Sequence, residues 1–218
     1  NDVGINTAKL LLEIEAVHFN LEKPFTLTSG LKSPVYIDCR RIISYPKVRN
    51  TLINCCCDII VEKIGLKNVE SLVGGETAGI PFAAFLANKL DLPMHYVRKK
   101  PKGFGINAHI EGNNIKGKKV ILVEDLSTDG GTKIKFCESI RKAGAEVKET
   151  IVIFYYNIFT SSPQELKKNS INLHYLACWW DILNYCKEVK NIIDQETIFQ
   201  IENFLISPQD WSNKYENK

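Results

Sequence analysis

Residues Val120 to Thr132 read Val-Ile-Leu-Val-Glu-Asp-Leu-Ser-Thr-Asp-Gly-Gly-Thr, which puts two adjacent carboxylates, Glu124 and Asp125, just ahead of a small polar turn. Carboxylates accept hydrogen bonds from hydroxyl groups, and the vicinal diol of a ribose offers two. The turn, Ser127-Thr128-Asp129-Gly130-Gly131, precedes Ile134, Cys137 and Ile140 at helical spacing. Backbone N–H groups in such a turn converge on one point, and the helix start adds about half a positive charge there. Acids beside an anion nest suit a phosphorylated sugar. The plainer alternative makes Thr128 or Asp129 a helix cap, with Glu124 and Asp125 in surface ion pairs. Two acids at the end of a buried strand carry a desolvation penalty that a surface pair avoids, so the chemical reading is favoured.

Two further stretches belong with it. Gly74-Gly75-Glu76-Thr77-Ala78-Gly79-Ile80-Pro81 joins a short apolar run to a helix start and forms a second potential nest, although a structural turn explains it nearly as well. Arg98-Lys99-Lys100-Pro101-Lys102-Gly103-Phe104-Gly105 is basic, glycine-bearing and without apolar period. Such a segment is expected to be mobile and able to close over a phosphate-rich ligand; the alternative is a solvated loop. Two nests on neighbouring strands fit a ligand with two separated phosphate groups. Three lookalike motifs fail. Asp125-x-Ser127-x-Asp129-Gly130 opens like an EF-hand loop, but Phe136 stands where the bidentate Glu belongs. No P-loop Gly-Lys-Ser/Thr is present, and no amphipathic helix follows Gly103-x-Gly105-x-x-Ala108.

These residues need elements to hold them. Leu10, Ile14 and Val17 predict an N-terminal helix ending near His18 or Asn20, followed by a strand from Phe25 into a Ser29-Gly30 turn. Val35–Asp38 reads as a strand, and Pro46 opens a helix with Val48, Leu52, Cys55 and Ile59 on one face up to about Gly65. Ser71–Gly75, Pro93–Val97, Val120–Val123, Val147–Phe154 and Leu173–Cys178 read as strands, the third ending at the acids. Helices are expected with Ile80, Ala83, Ala87 and Leu90, after Gly131, over 163–169, from Asp181, and with Ile198, Ile201 and Leu205, the last ten residues being polar and frayed. Strands alternating with helical stripes predict an α/β fold: a mainly parallel sheet with helices on both faces and ligands at the carboxyl ends of its strands. The expectation is one domain over 1–218 with N- and C-terminal additions.

Composition sets outer limits. The formal net charge of +3 among 218 residues gives no reason to expect nucleic acid or a membrane as partner. No apolar run approaches the roughly 20 residues of a membrane span, and the N-terminus shows no secretion signal. The seven Cys include three in succession, Cys55 to Cys57, with no Cys-x-x-Cys pair and scattered His18, His95, His109 and His174. A zinc site is not expected; these thiols read as small buried hydrophobes in a reducing cytoplasm.

With these residues in view, Glu124-Asp-Leu-Ser-Thr-Asp-Gly-Gly131 resembles the phosphoribosyl-diphosphate (PRPP) motif of type I phosphoribosyltransferases. Phe25-Thr-Leu-Thr-Ser-Gly-Leu-Lys-Ser-Pro-Val-Tyr-Ile-Asp38 resembles the N-terminal signature of the orotate phosphoribosyltransferases, and Gly79-Ile-Pro81 and Tyr96–Gly103 resemble the same family in the same order. The resemblance implies a type I phosphoribosyltransferase-like fold with an N-terminal hood and a C-terminal extension. It implies transfer of ribose 5-phosphate from PRPP to orotate in UMP synthesis, with Mg²⁺ carried mainly by PRPP and with a homodimer whose loop acts across the interface. Another base as acceptor, or a nucleotide-sensing regulator without catalysis, are the other readings. Residue by residue, it implies that Glu124 and Asp125 hold the ribose hydroxyls. Leu126, Ser127, Thr128, Asp129, Gly130, Gly131 and Thr132 would receive the 5-phosphate side of PRPP. Thr77, Ala78, Arg98, Lys99 and Lys102 would meet its diphosphate, with Asp125 and Lys102 as the catalytic residues. Thr28, Tyr36, Ile37 and Thr128 would face orotate.

The chain departs from the family's usual pattern where cations are common. Thr28 stands where many relatives have Lys, Ala78 where Lys is frequent, and Phe104 where His is frequent, with His109 further along. The strand end Phe154-Tyr-Tyr-Asn157 carries no basic residue where Arg often contacts orotate. Lys32, Arg40 and Lys133 are the candidates to compensate.

Overall fold

A computed structural model describes residues 2–100 and 109–216. In chain order it contains α1 (Asp2–Glu13), β1 (Val17–Phe19), β2 (Phe25–Thr26), β3 (Lys32–Ser33), β4 (Val35–Ile37), a 3₁₀ turn (Cys39–Ser44) and α2 (Pro46–Asp58) with a wider last stretch, Ile59–Ile64. Then follow β5 (Ser71–Gly75), α3 (Gly79–Leu90), β6 (Met94–Val97), β7 (Ile110–Glu111), β8 (Lys119–Ser127), α4 (Gly131–Lys142) and β9 (Glu146–Tyr155). The chain closes with α5 (Ser162–Lys168), β10 (Asn172–Cys178), α6 (Trp179–Glu188), α7 (Gln195–Ile206) and α8 (Pro208–Glu216).

Six strands form one sheet in the order β10-β9-β8-β5-β6-β7, parallel except for β7, which runs against β6. Apolar residues along β8 alternate between its two faces. Ile121 and Val123 enter the core shared with α1, α2, α3, α6 and α7, whereas Val120 and Leu122 pack with Phe136, Cys137 and Ile140 of α4. This is why the run Val120–Val123 is apolar throughout: both faces are covered. The chain leaves β5 toward β6 and later returns on the other side of β5 as β8. Strand order reverses between these two, and such a reversal opens a crevice above the carboxyl ends of both strands.

Four sequence expectations are corrected. α1 ends at Glu13 because Glu15 takes a positive φ of 55°, which frees Val17–Phe19 to pair with β4. β8 does not stop before the acids: Glu124 pairs in register with Val152, and Ser127 with Tyr155 of β9. β7 was not foreseen, since two residues are too few to show an alternation. Residues 208–216 do not fray but form α8, whose Trp211 is 1% exposed, stacked on Tyr215 and edge-on to Phe204. Ser212 Oγ of the same helix accepts a hydrogen bond from the Lys32 backbone N–H at 2.9 Å, which ties α8 to the β2–β3 hairpin. The basic segment expected to be mobile falls largely on residues 101–108, outside the described residues. Truncating a fully buried aromatic costs about 3–5 kcal/mol. Trp211→Ala is therefore expected to lose that much in urea unfolding, and a loss below about 1 kcal/mol refutes the seating of α8.

Candidate active site

The crevice above β5 and β8 holds a cleft of about 360 Å³. Three parts of the chain supply its walls. The N-terminal hood contributes Thr26, Leu27 and Thr28 from the hairpin, then Tyr36, Ile37, Asp38 and Arg40. The turn after β5 contributes Glu76, Thr77 and Ala78, with Lys99 beside it. The end of β8 and the start of α4 contribute Glu124, Asp125, Leu126, Thr128, Thr132 and Lys133, and Tyr156 closes the floor.

Each wall is held by an identifiable contact. Tyr36 leans on Phe25, ring centroids 5.5 Å apart, so the β4 side chain and the hairpin position each other. Lys32 Nζ donates to Thr26 Oγ1 at 2.9 Å across the same hairpin. Glu76 Oε2 accepts from the Lys99 backbone N–H at 2.7 Å, joining the turn after β5 to the end of β6. The Glu76–Thr77 peptide bond is cis. At the turn before α4, Asp129 Oδ1 accepts from the Gly131 N–H at 3.0 Å, while Gly130 takes φ 88°, a left-handed backbone that glycine adopts without strain.

The acids lie at the bottom. Glu124 is 6% exposed and Asp125 8%. Glu124 Oε2 receives a hydrogen bond from Lys133 Nζ at 2.8 Å, a pair in which both side chains are 7% exposed. The other face of the carboxylate lies against glycine backbone: a Cβ on Gly75 would collide with Glu124 Oε1 and Phe136, and one on Gly79 would collide with the Val123 carbonyl. Burial pushes both acids above the usual carboxylate range, Lys133 pulling each of them back and Arg40 also drawing Asp125 down. Arg40 itself is paired with Asp38 at 3.1 Å and is raised by that hydrogen bond. Burial likewise pushes the Tyr156 hydroxyl and the Cys39 thiol well up. Such a floor accepts hydrogen bonds from hydroxyl groups, and the turn above it offers N–H groups to an anion.

Most of the residues singled out in the sequence meet here. Thr28, Tyr36, Ile37, Thr77, Ala78, Lys99, Glu124, Asp125, Leu126, Thr128 and Thr132 all line the cleft. Ser127 is fully buried with its hydroxyl unpartnered, and Asp129, Gly130 and Gly131 shape the turn rather than the wall. Arg98 points elsewhere, its Nη1 lying 3.4 Å from Glu111 Oε1 on β7. His109 Nδ1 sits 3.2 Å from the Arg98 carbonyl oxygen and does not line the cleft. Lys102 lies outside the described residues. Of the candidate cations, Arg40 and Lys133 reach the cleft. Asp38, Glu76 and Tyr156 were missed as site residues. The one available signal was that each directly follows a strand: β4, β5 and β9. Among the described residues no three His, Cys, Asp or Glu side chains converge as a metal cage would need.

A parallel sheet with an acidic strand end, a glycine turn leading into a helix, and a hood over both defines a type I phosphoribosyltransferase. The phosphoribosyl transferase domain model matches residues 56–200. An orotate phosphoribosyltransferase of Cereibacter sphaeroides is 50% identical over 207 residues, 95% of this chain and 89% of the relative. The solved orotate phosphoribosyltransferase of Aeropyrum pernix superposes with a TM-score of 0.71 at 30% identity, over 84% of this chain and 98% of that one. A UMP synthase of Leishmania donovani gives a TM-score of 0.78 at 26% identity over 92% of this chain, which spans 42% of that larger protein. The chain belongs to the orotate phosphoribosyltransferase family.

The raised acids have a consequence for stability. A carboxyl whose folded pKa lies above its unfolded value adds stability below the unfolded value, about pH 4, and loses it as pH rises through the folded one. Asp125→Asn removes the buried charge. It is expected to melt about 2–4 °C above wild type at pH 7.5, the shift that roughly 1 kcal/mol makes at this size. The gain should shrink toward pH 4, and a gain that does not vary with pH refutes burial as its cause.

Proposed function

We propose that this chain transfers the 5-phosphoribosyl group of PRPP to N1 of orotate, yielding orotidine 5′-monophosphate and diphosphate. The observation that carries the reading is the meeting, across one cleft, of the acidic end of β8 with its glycine turn and the hood hairpin Phe25–Ile37. The first fits the phosphorylated ribose of the donor, and the second leaves a slot beside Tyr36 for a flat acceptor. In the reaction the ribose C1–O bond to diphosphate breaks, the N1–C1 bond forms, and the proton of N1 is released. Positive charge grows on the ribose as diphosphate departs, and the buried Asp125 below it is placed to stabilise that charge electrostatically. Glu124 and Asp125 take the ribose hydroxyls, the N–H groups from Ser127 to Thr132 take the 5-phosphate, and Thr77, Ala78 and Lys99 border the leaving group. Thr28, Tyr36, Ile37 and Thr128 face the acceptor. Mg²⁺ carried by the donor would offset the charge of its diphosphate where Thr77, Ala78 and Lys99 border it. Lys102, three residues on from Lys99, meets the diphosphate, within a homodimer working in the cytoplasm; the family resemblance of Tyr96–Gly103 supports this contact. No helix among the described residues is long and apolar enough to cross a membrane.

The test mixes protein, PRPP, Mg²⁺ and orotate and follows the loss of orotate absorbance. Turnover with uracil or a purine but not with orotate refutes the acceptor, and PRPP binding without turnover of any base refutes catalysis. Lys102→Ala is expected to lower kcat by about 10²-fold or more, as removal of one charge-stabilising group does, while leaving the melting temperature within about 2 °C. Parallel losses of both would make that residue structural.

A further inference from the structure

Lys133 is the one buried cation among the described residues, and Glu124 and Asp125 are the two buried carboxylates. All three lie within one small volume at the cleft floor. The lysine's place is physically unfavourable. It sits in the first turn of α4, where the helix dipole favours anions, and that turn contains no acidic residue to offset it. Nor does stability alone account for a buried ion pair, because a well-packed apolar pair of similar volume is often as stable or more so. The position calls for a reason in the site itself.

The cleft supplies one. Its lining carries four carboxylates, Asp38, Glu76, Glu124 and Asp125, against three cations, Arg40, Lys99 and Lys133. Arg40 is committed to Asp38 at 3.1 Å, and Lys133 to Glu124 at 2.8 Å. An anionic donor that approaches this floor without Lys133 meets two adjacent buried carboxylates, with only the pull of Arg40 on Asp125 and of Lys99 on Glu124 to offset them. With Lys133 it meets one. The same lysine also fixes geometry: it holds Glu124 Oε2 while Oε1 rests against the Gly75 and Gly79 backbone, so one side chain of α4 braces the acidic strand end against the turn that carries Thr77 and Ala78.

We propose that Lys133 is a positioning residue for the donor: it cancels the charge of Glu124 at the cleft floor and locks that carboxylate between the β8 end and the glycine turn after β5. Lys133 enters the cleft from α4 and Tyr36 from the hood, so the effect is expected chiefly on the donor. The inference rests on the functional reading above only in naming PRPP as that donor.

The experiment compares wild type, Lys133→Met and Lys133→Arg, each also in a Glu124→Gln background. PRPP affinity is measured by calorimetry with Mg²⁺ and without orotate, and both KM values and melting temperatures are measured from pH 6 to 9. Lys133→Met is expected to weaken PRPP binding by about tenfold or more at pH 8, with the orotate KM within about twofold of wild type. Its deficit relative to wild type should narrow as pH falls, because burial without the lysine favours protonation of Glu124 and leaves Asp125 as the one charge on the floor, as in wild type. Lys133→Arg should stay within about threefold of wild type. In the Glu124→Gln background the same Lys133→Met change should cost less than about threefold, because the charge it answers is gone. An equal loss in both backgrounds, a deficit that does not vary with pH, or equal rises in both KM values overturns the proposal. Should Lys133→Met yield no folded protein, Lys133→Gln, which keeps a polar partner for Glu124 without the charge, is measured in its place and judged by the same outcomes. Wild-type protein that binds PRPP without converting orotate refutes the acceptor and leaves Lys133 judged by affinity alone. Wild-type protein that fails to bind PRPP refutes both.

Discussion

Two adjacent carboxylates held out of water constrain everything around them. Glu124 and Asp125 sit on β8 where it is still paired to β9, so their backbone is fixed while their side chains enter the crevice left by the strand reversal. Ionised groups at 6% and 8% exposure need either a counter-charge or hydrogen-bond donors. The chain provides a lysine from α4, glycines at 75 and 79 that admit the carboxylate without a Cβ in the way, and an arginine from the 3₁₀ turn of the hood. The last is itself steadied by Asp38. Fold and site are therefore one construction: the sheet supplies the rigid edge, and the surrounding elements are shaped by the acids they must accommodate.

In the proposed reading, the division of labour within the cleft separates the central sheet from the N-terminal hood. The donor side is built on β5, β8 and α4, all part of or packed on the central sheet, where packing holds backbone positions tightly. The acceptor side is built on short strands outside the main sheet, β1 with β4 and β2 with β3. Those strands of two or three residues have little ladder of their own. They depend on aromatic contacts, Phe25 with Tyr36 and Tyr36 with His18, and on the helix laid over Lys32. A scaffold of this kind would keep the proposed sugar-phosphate chemistry fixed while leaving the choice of base to a more adjustable part.

What the sequence made legible was local or periodic. The acids, the glycine turn and the strand–helix alternation depend on neighbours along the chain, and the observed elements follow them to within a few residues in most places. What escaped was set by contacts between distant segments. Nothing around Trp211 announces that it will be buried, because Phe204 and the hairpin that α8 covers are brought to it by the fold. Lys133 stands out in the sequence only as one of three candidate cations, and its pairing with Glu124 emerges when β8 places that acid beside it. Arg98 belongs to a basic run that suggests ligand contact, yet the short β7 strand brings Glu111 alongside and turns it aside. Tyr156 follows an apolar strand, and nothing along that strand marks its hydroxyl as one that will be buried beside the cleft. In each case a pairing across the sheet or onto the hood decides the role, and pairings of that kind leave little trace in one sequence.

The bond from the Lys32 backbone to Ser212 connects the acceptor hairpin, completed early in the chain, to a helix within its last eleven residues. During vectorial synthesis a nascent chain grows from its N-terminus, and segments fold as their partners emerge from the ribosome. The six strands of the sheet are all present by Cys178, so the donor half can assemble while translation continues. The hairpin over the base slot gains its backing only when α8 has left the exit tunnel. The hairpin beside Tyr36 thus gains its backing later than the central sheet forms, and a chain lacking α8 would carry that hairpin without the Ser212 contact.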